Sequence, residues 1–204
     1  MLVFSRESLA FLAVPKTGTT AFEMALRPRA DIIFGKHRKH ITAQRYARKI
    51  APWLEDTFGV SPEPMAVMRN PVEQIRSWFR YRSGPRQAGT PVSTKGCSFD
   101  EFVLAVISDT PPPFAQIGSQ FGFLTGHGAL MVTHLFAYER QQVLRGFLAQ
   151  RFGDEIAMKQ KNVSPHADAP LSPEVEAQLR RARADEFALY EQVISAGGHL
   201  RVQG

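Results

Sequence analysis

The sequence predicts an α/β fold, a three-layer sandwich with a central, mainly parallel sheet flanked by helices on both faces. Three observations point there. Short apolar runs at 9–14, 64–68 and 131–138 each give way to a polar turn and then to helix-forming residues, the alternation of parallel strands joined by crossover helices. The chain has 204 residues, 44% of them hydrophobic and 22% charged, enough for one cored domain, expected to span 1–204. Cys97 is the single cysteine, so no intrachain disulfide or multi-cysteine zinc site shapes the fold.

Taken in order, Leu9-Ala-Phe-Leu-Ala-Val14 reads as a buried strand stopped by Pro15, Gly18-Thr19-Thr20 as a tight loop, and 21–26 as the start of a helix. Residues 31–34 suggest a second strand. Thr42 is an N-cap candidate for a helix over 43–58, where Tyr46, Ile50, Leu54 and Phe58 recur at helical spacing; Pro52 should kink or divide it. The strand over 64–68 ends at Arg69, and Pro71 occupies the first turn of a helix reaching about Tyr81. Residues 83–96, rich in Gly, Pro, Ser, Thr and Arg, are expected to form a mobile surface loop able to cover a site.

Ser98-Phe-Asp-Glu101 has the form of a capping box, and Pro111-Pro112-Pro113 stops the helix it opens. A further strand over 131–138 carries Glu139 at its end and leads into a helix over 141–152. A polar connector spans 159–170. Ser172-Pro173-Glu174 supplies cap, first-turn proline and acidic first turn to a last helix ending near Gly197-Gly198.

Lys and Arg number 25 against 19 Asp and Glu, a formal charge of +6 that favours anionic partners without choosing among them. The apolar run at 9–14 falls far short of the roughly 20 residues of a membrane span, and no signal-peptide pattern precedes it. A cytoplasmic protein without a membrane span is the expectation.

The sharpest chemical feature is Pro15-Lys16-Thr17-Gly18-Thr19-Thr20, set between a buried strand and a helix. Backbone N–H groups at a helix N-terminus point outward with partial positive charge, so such a turn cradles an anion. Gly18 lets the backbone approach phosphate oxygens, Lys16 brings a point charge, and the hydroxyls of Thr17, Thr19 and Thr20 add donors. The loop is P-loop-like in placement but not a Walker A sequence, which needs a glycine directly before its lysine, where Pro15 stands.

A second segment, Val67-Met-Arg69-Asn-Pro71-Val-Glu-Gln-Ile-Arg-Ser77-Trp-Phe79, ends a strand in Arg-x-Pro and carries a helical serine eight residues after the arginine. A guanidinium there can fork onto two phosphate oxygens at the strand edge where ligands gather, and Ser77 can donate a further bond. Together the two segments resemble the 5′-phosphosulfate and 3′-phosphate motifs of sulfotransferases that use 3′-phosphoadenosine 5′-phosphosulfate (PAPS). Lys39-His-Ile-Thr-Ala43 and Phe136-Ala-Tyr-Glu139 are similar to segments of the carbohydrate-type and bacterial branch, extending the resemblance over most of the chain. The chain lacks the later glycine-rich Lys-x-x-x-x-Gly-x-x-x-Trp segment of the cytosolic aryl and steroid branch.

The resemblance implies sulfuryl transfer from PAPS to a hydroxyl acceptor, a carbohydrate or small metabolite, with PAP as product and no metal. Pro15, Lys16, Thr17, Gly18, Thr19, Thr20, Arg69 and Ser77 would hold the donor. Lys16 would be catalytic, offsetting charge on the departing oxygen, and His40 or His37 would take the acceptor's proton, the ordinary imidazole pKa suiting either. Arg76, Arg80, Arg82 and Arg86 form a basic run that fits an acidic saccharide or, equally, a solvated helix face. Other readings stay open: a P-loop nucleotide kinase or NTPase, a catalytically inactive nucleotide-binding module, and, on charge alone, a nucleic-acid binder, which is not expected.

Overall fold

Side-chain alternation along the strands decides the layering. Leu9, Phe11, Met65, Val67 and Phe136 belong to one apolar cluster, while their neighbours Ala10, Leu12, Ala66, Met68, Leu135 and Ala137 belong to another. A strand sends successive side chains to opposite faces, so a sheet with apolar residues at every position must be covered on both. The structure, a computed structural model, describes residues 1–35, 38–156 and 169–202.

Six strands form the main sheet: β1 (Leu2–Phe4), β2 (Leu9–Leu12), β3 (Ile32–Ile33), β4 (Glu63–Met68), β7 (His134–Ala137) and β8 (His199–Arg201), in the order β3-β1-β2-β4-β7-β8. A separate two-stranded ribbon joins β5 (Thr125–Gly126) to β6 (Ala129–Leu130). Only β2, β4 and β7 run parallel; β1, β3 and β8 pair antiparallel at the two sides. The sheet is therefore mixed, parallel at its centre, where the sequence suggested a mainly parallel one. The reason is local: β1 and β2 are joined by the short turn 5–8, which permits an antiparallel hairpin and no crossover.

On one face lie α1 (Thr19–Leu26) and α7 (Gln141–Phe152), through Phe22, Leu26, Leu144 and Leu148. The other face is covered by α2 (Ala43–Arg45), α3 (Ala51–Phe58), α6 (Gln120–Leu124) and α9 (Ala184–Ser195), through Tyr46, Leu54, Leu124 and Val193. A third cluster joins α4 (Pro71–Ser83), α5 (Phe99–Val106), α8 (Pro173–Ala182) and Phe187 of α9.

Most expected starts and stops are present with the expected chemistry. Thr42 caps α2, Asn70 accepts from the N–H groups of Val72 and Glu73, and Ser98 with Glu101 forms the full capping box. The helix over 43–58 is divided before Pro52 by a π turn, Tyr46–Ile50, which accommodates a ring lacking its own N–H. The last helix is broken at Arg183, whose guanidinium donates to the Gly118 carbonyl and pairs with Glu186. Residues 83–96, expected as a loose loop, form successive turns anchored by buried Thr94, whose hydroxyl donates to Phe79 O at 3.0 Å. Among the described residues no helix is long and apolar enough to cross a membrane.

Candidate functional site

Because β2 and β4 are parallel neighbours, the loops leaving them emerge side by side, and the two sequence motifs sit on those loops. The first turns sharply. Lys16 and Gly18 both have positive φ, 65° and 71°, and Gly18 is the N-cap of α1. No side chain caps that helix and its first turn holds no acidic residue, so its leading N–H groups face outward without a carboxylate to meet them. Thr17 is fully buried and its hydroxyl donates to Val14 O at 3.0 Å, which commits that proton to the loop. Thr19 is buried and Thr20 exposed.

The Lys16 ammonium rests over aromatic faces of α4, 4.3 Å from the Tyr81 ring centre and 5.8 Å from that of Trp78. Burial, the Arg69 guanidinium and Lys39 lower its pKa to about 8. Arg69, at the end of β4, is also desolvated; its Nε is buried without a hydrogen-bond partner among the described residues. The guanidinium stacks 4.7 Å from the Tyr138 ring and lies 3.7 Å from Glu73. Two cations thus crowd one strand-end space, and a donor there is unsatisfied.

Four residues that sequence reasoning left without a role hold this arrangement. The Gln120 carboxamide grips the Arg69 backbone at both ends, accepting from its N–H at 2.8 Å and donating to its carbonyl at 2.9 Å. Buried Glu186 accepts in turn from the Gln120 amide and backbone. Gln74, 2% exposed, donates from Nε2 to Pro15 O at 3.1 Å and ties α4 to the first loop. Tyr138, at the end of β7, packs on both Gly18 and Arg69. Tyr138 and Gln74 fall inside motif segments, the Tyr-Glu pair and the 67–79 run, but neither carries a role there.

His40 follows the 38–39 segment, and its Nδ1 lies 2.7 Å from Ala13 O, the residue two before Pro15. A carbonyl there requires the Nδ1–H tautomer, which leaves Nε2 as an acceptor on a ring that is only partly covered. Burial of the ring lowers its pKa against the effect of that hydrogen bond, with Lys39 acting in the same direction as burial. His37 lies outside the described residues, as do residues 159–168 of the connector, with Lys159 and Lys161. Ser77 is half-buried on α4, two turns beyond Arg69, and makes no hydrogen bond to it.

The basic run is not one surface. Arg82 is 8% exposed and donates to the carbonyls of Pro113, Phe114 and Gln116, and Arg76 bonds Glu73 and Ala169 O. Both staple α4 to its neighbours, so neither belongs to a solvated face or a saccharide-binding row.

No protein-family model matches the chain, and no curated protein matches it.

Proposed function

We propose that the chain is a PAPS-dependent sulfotransferase. The observation that carries this reading is the placement of Lys16 and Arg69, both partly desolvated, on loops leaving adjacent parallel strands; burial first, and the Arg69 charge second, lower the lysine to about 8. An anion with two separated charged groups relieves that repulsion at both ends, and a nucleotide carrying 5′- and 3′-phosphates has that form. The uncapped N-terminus of α1 and the unsatisfied Arg69 Nε supply donors for the same oxygens. The P-loop-like placement of the first loop is part of this proposal.

In the reaction the acceptor oxygen bonds to sulfur as the bond from sulfur to the 5′-phosphate oxygen breaks, in line. Lys16 stabilises the charge that grows on the departing oxygen, and loss of one such contact costs about 10²–10³ in rate. His40 Nε2 takes the hydroxyl proton, while Nδ1–H donates to Ala13 O and fixes the tautomer. Gln120 and Tyr138 position Arg69 and touch no reacting atom.

Thermal shift with PAP, ATP and ATP plus Mg²⁺, followed by transfer of radiolabelled sulfuryl from PAPS, tests the reading. PAP should raise the melting temperature without metal, and Lys16→Ala should abolish transfer while remaining folded. Stabilisation by ATP with Mg²⁺ alone would move the protein to the kinase or NTPase class. PAP binding without transfer to any acceptor would make it a binding module.

A further inference from the structure

A cavity of about 300 Å³ opens between the first loop, the N-cap of α2, α4 and the segment leading into α6. Its walls are mostly apolar, with Val14, Pro15, Ile117 and Phe123 among them, and among the described residues no charged side chain lines it. A nucleotide bearing phosphates finds no counter-charge there, whereas Lys16 and Arg69 stand just outside its lining. Pro15 adjoins Lys16 in the chain, and Val14 adjoins Ala13, whose carbonyl holds His40. The cavity therefore borders the loop that carries Lys16 and whose Ala13 carbonyl holds His40.

One polar group in the wall is incomplete. Gln74 lines the cavity, is 2% exposed, and its Oε1 is buried without a partner among the described residues. The identity of that atom follows from the other end of the amide: Pro15 O accepts at 3.1 Å, so the nitrogen must face it and the unpaired atom must be the oxygen. A buried acceptor left without a donor is destabilising, and a ligand that supplies one recovers that loss. The last torsion of a glutamine is soft, and turning it moves Oε1 and Nε2 together, so a ligand that draws Oε1 into the cavity also loosens the Pro15 contact.

We infer that this cavity is the acceptor site, and that the acceptor is a compact, uncharged alcohol carrying a second hydrogen-bond donor for Gln74 Oε1, not an acidic saccharide. The identity of the occupant as acceptor rests on the sulfotransferase reading; the neutrality and size of the occupant do not. Cavities of this volume lie at the small end of ligand sites and fit a single ring. Gln74 then discriminates between alcohols with and without the second donor, since a site built to hydrogen-bond a group rejects the analogue lacking it.

The test uses the full chain saturated with PAP, and trans-cyclohexane-1,2-diol, cyclohexanol and glucuronate as probes in calorimetry, with the Ile117 methyl resonance as a local reporter. The diol should bind more tightly than cyclohexanol and shift the Ile117 methyl, and glucuronate should not bind. Ile117→Trp, which fills the cavity, should weaken the diol by about tenfold or more and leave PAP affinity unchanged. Gln74→Leu should erase the preference for the diol over cyclohexanol. If either variant fails to fold, the wild-type methyl shift decides. Glucuronate binding, diol binding without a shift at Ile117, or no diol binding by a protein that does bind PAP overturns the inference. A protein that binds the diol in the cavity but never PAP loses the donor reading and keeps the cavity assignment.

Discussion

A Cβ placed on Gly18 would stand 2.5 Å from Cε2 of Tyr138, so the ring at the end of β7 rests directly on the loop glycine. The same ring supports the Arg69 guanidinium, which couples the ends of three neighbouring strands, β2, β4 and β7, through one side chain. Gly18 also needs its positive φ of 71°. Gly18→Ala therefore meets both a clash and a backbone penalty, and should cost at least about 1 kcal/mol in urea unfolding and weaken PAP strongly. Tyr138→Ala should relieve part of the clash in the double variant without restoring affinity; additive losses would show that the ring and glycine do not interact.

The lowered Lys16 pKa gives a pH signature. The bound anion favours the protonated amine, so its pKa rises in the complex and binding takes up protons. PAP affinity should be steady from pH 7 to about 8 and then weaken with each further pH unit, by up to about tenfold. Lys16→Met should bind weakly at every pH and lose this slope. Calorimetry in buffers of different ionisation enthalpy measures the uptake; none at pH 8.5 would contradict it.

Glu73 competes for the site, standing 3.7 Å from Arg69 while it also pairs with Arg76. The pair is partly exposed and worth at most about 1 kcal/mol. Glu73→Gln should tighten PAP by up to about fivefold. Weaker binding by this variant would show that Glu73 orients Arg69 instead of competing with the phosphate.

At the opposite ends of the strands, His134 Nδ1 lies 3.0 Å from His199 Nε2, and His134 Nε2 lies 3.3 Å from Glu63, which also takes Arg151. Burial, aided by Arg201, lowers the pKa of both imidazoles despite the carboxylate. The unfolded chain thus binds protons that the folded one refuses, and this contribution to stability is lost as pH falls below about 6.5. Urea unfolding at pH 7.5 and 5.5 should show a smaller drop for His134→Phe than for wild type. An equal drop would place the acid sensitivity elsewhere.

The sequence made the central strands, their loops and the helix caps legible because those signals are local: apolar runs, prolines, and Ser or Thr before acidic first turns. It hid β1 and β8, three residues each, which lack the length to show alternation. Their absence from the reading made the sheet look mainly parallel where it is mixed, parallel at its centre. Lys16, Arg69 and His40 were legible as motif residues, but Gln74 and Gln120 act across separations of 59 and 51 residues and have no local signature. Arg82 misled for the converse reason: its spacing placed it in a basic row, while three carbonyls from the 113–116 segment buried it.

The central claim is that Lys16 and Arg69 hold different phosphates of one nucleotide. Titrating PAP and adenosine 5′-phosphate into wild type, Lys16→Ala and Arg69→Ala tests it most directly. Arg69→Ala should lose about 10- to 100-fold in PAP affinity, the worth of one charge-assisted contact, and bind adenosine 5′-phosphate as wild type does, while Lys16→Ala weakens both. Equal losses for the two ligands in the Arg69 variant would mean that the arginine never meets a 3′-phosphate.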